Sequence, residues 1–233
     1  MTLLVRAGSV SGVVEPIRSY HARRGRLSPN MIAALAELGP ALDLAQTPDP
    51  LDLDAVFGRS APRVLEIGSG LGDTVLHLAQ TNPGTDYIAS DVHTKGIART
   101  LIQIQQLGLS NVRVLHADAL RFVTDRLPAA SLDEILVFFP DPWPKARHHK
   151  RRIVRPEFAT ACVRVLRPDG TVHLATDMDD YAEAMRCYTV AARRDPNDSI
   201  PLIHISTQSC QPMTPHVRAR RRGISIHLLG FLP

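Results

Sequence analysis

The residues best suited to chemistry lie in one stretch, FFPDPWPKARHHKRR, at positions 138–152. Asp141 stands between Pro140 and Pro142. A proline fixes its own φ at about −65° and restricts the residue before it, so this carboxylate is expected on a stiff turn. We therefore take Asp141 as the first candidate for a reacting site.

An aromatic side chain and a dense run of cations follow Asp141. Trp143 offers a flat ring on which a nucleobase can stack. Six cations then fall within eleven residues: Lys145, Arg147, Lys150, Arg151, Arg152 and Arg155, with His148 and His149 among them. Such a run is usually a solvated face, but beside a stacking aromatic it indicates an anionic partner.

Two further segments cluster arginines. Residues 17–28 contain Arg18, Arg23, Arg24 and Arg26, and residues 212–223 contain Arg218, Arg220, Arg221 and Arg222. The net charge is only +4, from 27 Lys and Arg against 23 Asp and Glu, so its distribution says more than its sum. Three separate basic segments favour binding of a nucleic acid.

The elements that must position these residues alternate along the chain. Short apolar runs predict strands at 64–67, 87–89, 112–115, 134–139 and 171–175, with a last strand at 225–229. Helices are predicted at 73–80, 94–107, 119–126, 156–166 and 178–194, and a helix that begins at the N-cap Ser28 is expected to stop at Gly39. This alternation predicts an α/β domain with a doubly wound, mostly parallel sheet and helices on both faces.

A glycine-rich turn, LEIGSGLGD, follows the first predicted strand. Gly68, Gly70 and Gly72 allow a tight turn and a close approach to a nucleotide, although a plain strand-to-helix turn and a dinucleotide site are alternatives. Glu66 and Asp73 flank the glycines and would repel a pyrophosphate. S-adenosylmethionine has no phosphate and carries an ammonium and a sulfonium group, so the acidic loop favours it over a nicotinamide cofactor.

Acidic residues also end the next two predicted strands. Asp91 stands about 20 residues past the glycines, where a carboxylate usually accepts both ribose hydroxyls. Asp118 is placed to accept from the adenine amino group. Either could instead cap a helix, yet three acidic strand ends in succession favour a cofactor site made of Glu66, Asp91, Asp118 and the glycines.

Taken with the residues that follow it, the phrase Phe-Pro-Asp-Pro-Trp resembles the signature of the bacterial tRNA (guanine-N7)-methyltransferases. The resemblance covers nearly the whole chain and implies the class I methyltransferase sheet of seven strands, the last antiparallel. It further implies transfer of a methyl group to a guanine in the variable loop of tRNA, leaving S-adenosylhomocysteine. The family more often has Glu where Asp91 stands.

The resemblance assigns roles residue by residue. Asp141 matches the family's catalytic acid. The expected substrate-binding residues are Arg23, Arg26, Trp143, Lys145, His148, Arg151, Asp177 and Thr214. Asp177 follows the fifth strand and could also cap the next helix. No metal ion is expected.

The C-terminal segment departs from the family pattern. The family has a Thr-x-x-Glu motif, and here Thr214 is followed by Val217 in place of the Glu. One contact to cofactor or substrate is therefore in doubt. The alternative is a weakened relative that binds RNA with little turnover.

Composition sets the remaining expectations. Hydrophobic residues make up 44% of the 233, too many for a disordered chain, and no stretch approaches the roughly 20 apolar residues of a membrane span. The three cysteines lack metal-ligand spacing, and the first residues, MTLLVRAGSV, do not show the long apolar stretch expected of a signal peptide. We expect a cytoplasmic monomer without an obligate protein partner. Residues 1–54 are expected to form a basic N-terminal extension with one helix and a linker at 47–54 that is rich in Pro and Asp, and residues 55–233 the methyltransferase domain.

Overall fold

A computed structural model describes residues 19–20, 25–191 and 202–207 of the chain. Within these ranges six strands form one sheet in the order β3-β2-β1-β4-β5-β6, and every neighbouring pair is parallel. The strands are β1 (Arg63–Ile67), β2 (Asp86–Ser90), β3 (Val112–Leu115), β4 (Leu132–Phe138), β5 (Leu166–Thr176) and β6 (Leu202–Thr207). The predicted doubly wound α/β fold is confirmed, while the antiparallel strand predicted at 225–229 lies outside the described residues.

Helices cover both faces of the sheet. They are α1 (Pro29–Leu42), α2 (Leu53–Phe57), α3 (Asp73–Thr81), α4 (Thr94–Leu107), α5 (Ala119–Arg121), α6 (Pro156–Val165) and α7 (Asp179–Ala191), and α5 continues as a π-helical turn, Phe122–Arg126. Alternate strand residues enter two separate cores. Leu65 and Ile135 pack with α6 and α7 in one, whereas Val64 and Leu136 pack with α3 and α4 in the other. No helix in the described ranges is long and apolar enough to cross a membrane.

Helix α1 begins as predicted but ends later. The Ser28 hydroxyl accepts the Met31 N–H at 3.3 Å and caps the helix. The predicted stop at Gly39 is wrong, because the helix continues through Pro40 to Leu42. Gly39 is buried, and its carbonyl still accepts the Asp43 N–H at 2.9 Å. This glycine serves packing and not termination.

The predicted linker at 47–54 also differs from the structure. Leu51 and Leu53 are buried in the core, and Asp52 caps α2 by accepting the Asp54 and Ala55 N–H groups. Acidic and proline residues suggested a solvated tether, but the two leucines dock this segment on the domain. The division of the chain at residue 54 remains a proposal.

Strand β5 starts five residues before the predicted position. Leu166 pairs with Leu132, and the register then shifts before Thr171 pairs with Glu134. Pro168, Asp169 and Gly170 lie within the strand at this bulge. Strand β6 was not predicted.

Candidate active site

The order of the strands reverses at β1, with β2 on one side and β4 on the other. Ligands of open α/β sheets bind at the carboxyl ends of strands flanking such a switch point. An open cleft with an internal volume of about 90 Å³ lies there. Its walls bring together four residues predicted from the sequence: Gly68, Asp91, Asp118 and Asp141.

The glycine loop follows β1 and forms one wall of the cleft. Gly68, Gly70 and Gly72 have φ angles of 79°, 62° and 83°, a region that strains other residues. The N–H groups of Gly68 and Ser69 both donate to the Ser90 carbonyl, at 2.8 and 2.9 Å. The loop is thereby folded tightly against the end of β2.

Glu66 lies at the end of β1, 4% exposed, and does not line the cleft itself. Its carboxylate lies near the Val75 N–H and the Thr74 hydroxyl, both of which favour its charged form and lower its pKa. These groups belong to the first turn of α3, whose N-cap, Gly72, has no side chain. Glu66 therefore lies against the N-terminus of α3.

Three buried polar atoms around the loop lack a hydrogen-bond partner among the described residues. They are Glu66 Oε2, Ser69 Oγ and Ser90 Oγ. Buried polar atoms in folded proteins are nearly always hydrogen-bonded. Of the three residues, Ser90 lines the cleft, where its hydroxyl is available to a polar ligand.

Burial raises the pKa of Glu66 to about 7; the Val75 N–H and the Thr74 hydroxyl oppose this shift, and the charges of Asp91 and Asp73 add smaller upward contributions. A raised carboxyl pKa means that the folded chain holds a proton that the unfolded chain has lost. The associated stability is complete below about pH 4.5 and is lost as the pH rises towards about 7.

Glu66→Gln should remove this pH dependence. Between pH 5 and pH 8 the wild type should lose about 2 to 3 kcal/mol of unfolding free energy relative to the Gln variant, at 1.36 kcal/mol per pKa unit. Urea unfolding of both proteins without ligand at the two pH values measures the difference. Parallel losses in the two proteins would mean that Glu66 is ionised throughout.

Asp91 and Asp118 each fill a structural role at the cleft. Asp91 Oδ2 accepts the Gly70 N–H at 2.8 Å and Oδ1 accepts the His93 N–H at 2.7 Å, so it joins the loop to the start of α4. Asp118 caps α5 by accepting the Leu120 N–H at 3.0 Å. A carboxylate oxygen has a second lone pair, so both residues keep acceptor capacity for a ligand.

Gly96, in the first turn of α4, was missed by sequence reasoning. A Cβ at this position would lie 2.0 Å from the Gly70 carbonyl oxygen. Only glycine lets α4 approach the loop this closely. A glycine inside a helix is unfavourable by itself, which is the signal that could have identified it.

The turn that carries Asp141 is strained. Phe139 and Trp143, on either side of it, have φ angles of 49° and 44°, and such conformations cost on the order of 1–3 kcal/mol each. Asp141 is half-buried in the cleft wall. Within the described part of the chain, no hydrogen-bond donor or cation engages its carboxylate, which leaves it available to a ligand.

Trp143 does not offer its ring to a base. It is 4% exposed, and the Arg151 guanidinium lies over the ring, 4.8 Å from its centroid. The His148 ring meets it edge-on at 5.9 Å, and the indole N–H donates to the Ser19 carbonyl at 3.2 Å. The stacking prediction is therefore wrong, and the indole instead organises Arg151, His148 and the N-terminal segment.

The basic run divides into two parts. Lys145, Arg147 and Lys150 are exposed; Lys145 is the N-cap of a 3-10 helix, Ala146–Arg151, and the other two lie within it. Arg152 is 3% exposed, and its guanidinium contacts only protein. The sequence alone did not distinguish these cations, but Arg152 is buried whereas Lys145, Arg147 and Lys150 are exposed.

The remaining predicted residues lie outside the cleft wall. Asp177 is exposed beyond β5, the neighbour of β4, and Arg26 is exposed before α1. Arg23 and Thr214 lie outside the described residues. The cleft also contains Ser19, Tyr20, Ser90, His93 and Phe139, which sequence reasoning did not select.

Known proteins are similar to this chain over most of its length. Residues 60–203 match the family model described as "Putative methyltransferase". The tRNA (guanine-N(7)-)-methyltransferase of Alkalilimnicola ehrlichii is 47% identical over 182 residues, 77% of this chain and 76% of that protein. Enzymes of the same name from Thiobacillus denitrificans and Xanthomonas campestris are 42% and 43% identical, covering 90% and 85% of this chain and 90% and 76% of their own lengths.

The chain belongs to the tRNA (guanine-N(7)-)-methyltransferase family. The match to the family model spans the glycine loop and the strand ends that carry Asp91, Asp118, Asp141 and Asp177. The described ranges of this methyltransferase contain no group of three or more His, Cys, Asp or Glu side chains that could hold a metal ion.

Proposed function

We propose that this chain transfers a methyl group from S-adenosylmethionine to N7 of a guanine in the variable loop of tRNA. The observation that carries the proposal is the Asp141 carboxylate, which has no partner among the described residues and lines a switch-point cleft beside the glycine loop. The relatives named for this activity agree with it.

The cofactor proposal rests on the acceptors around the glycine loop. Ser90 and Asp91 both line the cleft. The Ser90 hydroxyl has no hydrogen-bond partner among the described residues, and the Asp91 carboxylate has spare lone pairs for a donor. Acidic groups would disfavour the pyrophosphate of a dinucleotide. When bound, S-adenosylmethionine supplies a methyl group that its sulfonium has already activated.

The target atom determines what the protein must add. Guanine N7 has a free lone pair, so no base has to remove a proton before attack. The methylated purine is a cation, and a fixed carboxylate stabilises that developing charge. We assign Asp141 and Asp177 to charge stabilisation and to recognition of the guanine N1–H and amino donors, which adenine does not present in this arrangement.

The tRNA proposal rests on the exposed cations next to the cleft. Lys145, Arg147 and Lys150 are exposed, and Arg151 and His148 are held by Trp143. The deep groove of A-form RNA hides N7 in regular helices, so a loop guanine is the natural target. A cytoplasmic monomer without an obligate partner remains a prediction.

Exposed cations predict salt-dependent binding. Lys150→Ala should flatten the plot of log affinity against log salt by roughly one unit if one phosphate contact is lost. Arg167→Ala, at the opposite end of β5 and paired with Asp133, should leave the slope unchanged. Filter binding of tRNA across salt concentrations measures both. Equal slopes for Lys150→Ala and wild type would make this cation part of a solvated face.

Mass analysis of nucleosides after incubation with tRNA and S-adenosylmethionine tests the function. The expected product is 7-methylguanosine. A different methylated nucleoside would contradict the target atom. Binding without any product would favour the weakened relative suggested by Val217.

A further inference from the structure

Arg152 stands in a run of cations yet differs from its neighbours. Only 3% of it is exposed, whereas Lys150 is exposed and Arg151 half-buried. A buried charge is costly unless it is paired. Its Nη2 pairs with Asp180 Oδ2 at 2.5 Å, and its guanidinium lies 4.5 Å from the Tyr181 ring centroid. This side chain has no surface to offer a phosphate.

The contacts of Arg152 join the two turns that follow β4 and β5. Its Nε donates to the Pro142 carbonyl at 2.8 Å, one residue from Asp141. Asp180 lies in the first turn of α7, three residues after Asp177. A second hydrogen bond joins α7 to the segment after Arg152, because the buried Tyr181 hydroxyl accepts the Val154 N–H at 3.0 Å.

We propose that Arg152 is a positioning residue that holds the turn of Asp141 against the turn of Asp177, and that it does not bind RNA. The inference rests on the proposed function, because it assigns both carboxylates to the guanine. It explains how a turn with two left-handed aromatic residues, Phe139 and Trp143, keeps one shape. A strained backbone conformation persists only where the surrounding structure holds it in place. Arg152 holds this turn through its hydrogen bond to the Pro142 carbonyl.

The position of a carboxylate affects the rate more than binding. A displacement of about 1 Å at a reacting centre can slow a reaction on the order of 100-fold. Arg152→Lys keeps the charge but loses the fork that reaches Pro142 and Asp180 together. Arg152→Lys and Arg152→Gln should therefore lower the single-turnover rate at saturating tRNA by about 10- to 100-fold. The slope of tRNA affinity against salt should stay at the wild-type value.

Matched variants separate positioning from phosphate binding. Lys150→Ala should reduce the salt slope, and Arg167→Ala should change neither slope nor rate. Asp180→Asn removes the partner of Arg152 without removing a cation, so it should reproduce the loss of rate. The double variant Arg152→Gln/Asp180→Asn should lose no more than the larger single loss, because the pair acts as a unit.

A reduced salt slope for Arg152→Gln would overturn the proposal, and so would a normal single-turnover rate. Thermal melting checks that each variant folds. If the Arg152 variants do not fold, Asp180→Asn is the variant that tests the proposal. A normal single-turnover rate in Asp180→Asn would also contradict it. Failure of the wild type to make 7-methylguanosine would instead contradict the proposed function. This outcome is separate, because the wild type is measured before any variant.

Discussion

Asp141→Asn should slow methyl transfer to tRNA by about 100- to 1000-fold, equivalent to 2.7–4 kcal/mol of barrier for one fixed electrostatic group. The substitution keeps the shape of the side chain and removes the negative charge facing the cationic purine. The fold should survive, because Asp141 is half-buried at the wall of the cleft. Single-turnover methylation under saturating cofactor measures the effect.

Cofactor titration on the same variant locates the defect. The affinity for S-adenosylmethionine should change little, since the open acceptors surround the glycine loop. Asp169→Asn is the matched control, an exposed carboxylate at the start of β5 that should leave the rate unchanged. Near-normal methylation by Asp141→Asn would refute charge stabilisation. Loss of methylation together with cofactor binding would place Asp141 in the cofactor site.

Gly96→Ala should weaken cofactor binding by about 10- to 100-fold, since overpacking commonly costs on the order of 1–3 kcal/mol and 1.4 kcal/mol is tenfold. The added Cβ would stand 2.0 Å from a backbone oxygen, Gly70 O, which cannot rotate away as a side chain could. Moving Gly70 also disturbs its N–H bond to Asp91. Helix α4 and the loop must therefore separate.

Isothermal titration with S-adenosylhomocysteine measures this loss, with Gly84→Ala as the control. A Cβ at Gly84 would meet nothing within 4 Å, and its backbone is not left-handed. The tRNA salt slope should be unchanged in both variants. Unaltered affinity in Gly96→Ala would show that the close approach of α4 does not shape the cofactor site.

The main features of the cleft could be predicted because they depend on local backbone rules. Gly68, Gly70 and Gly72 were expected in a tight turn, and all three adopt left-handed φ. Alternating strands and helices place strand ends on one edge of a parallel sheet, and Asp91, Asp118 and Asp141, which all follow predicted strands, line one cleft there.

Features that depend on tertiary contacts could not be predicted in this way. Arg151 and Arg152 are adjacent and chemically identical, yet only Arg152 is buried against Asp180 and Tyr181. Trp143 was expected to stack on a base because its side chain is a flat aromatic ring, but the Arg151 guanidinium covers the face of that ring. Composition reports which groups are present, whereas burial depends on the segments that pack on them.

The most direct measurement of the central claim compares two tRNA transcripts, one made with guanosine and one with 7-deazaguanosine throughout. Carbon replaces N7 in the second transcript, so the nucleophilic lone pair is absent while the Watson–Crick edge remains. The guanosine transcript should gain one labelled methyl group, recovered as 7-methylguanosine, and the 7-deaza transcript should gain none while still competing for binding. Equal labelling of the two transcripts would contradict methylation at N7.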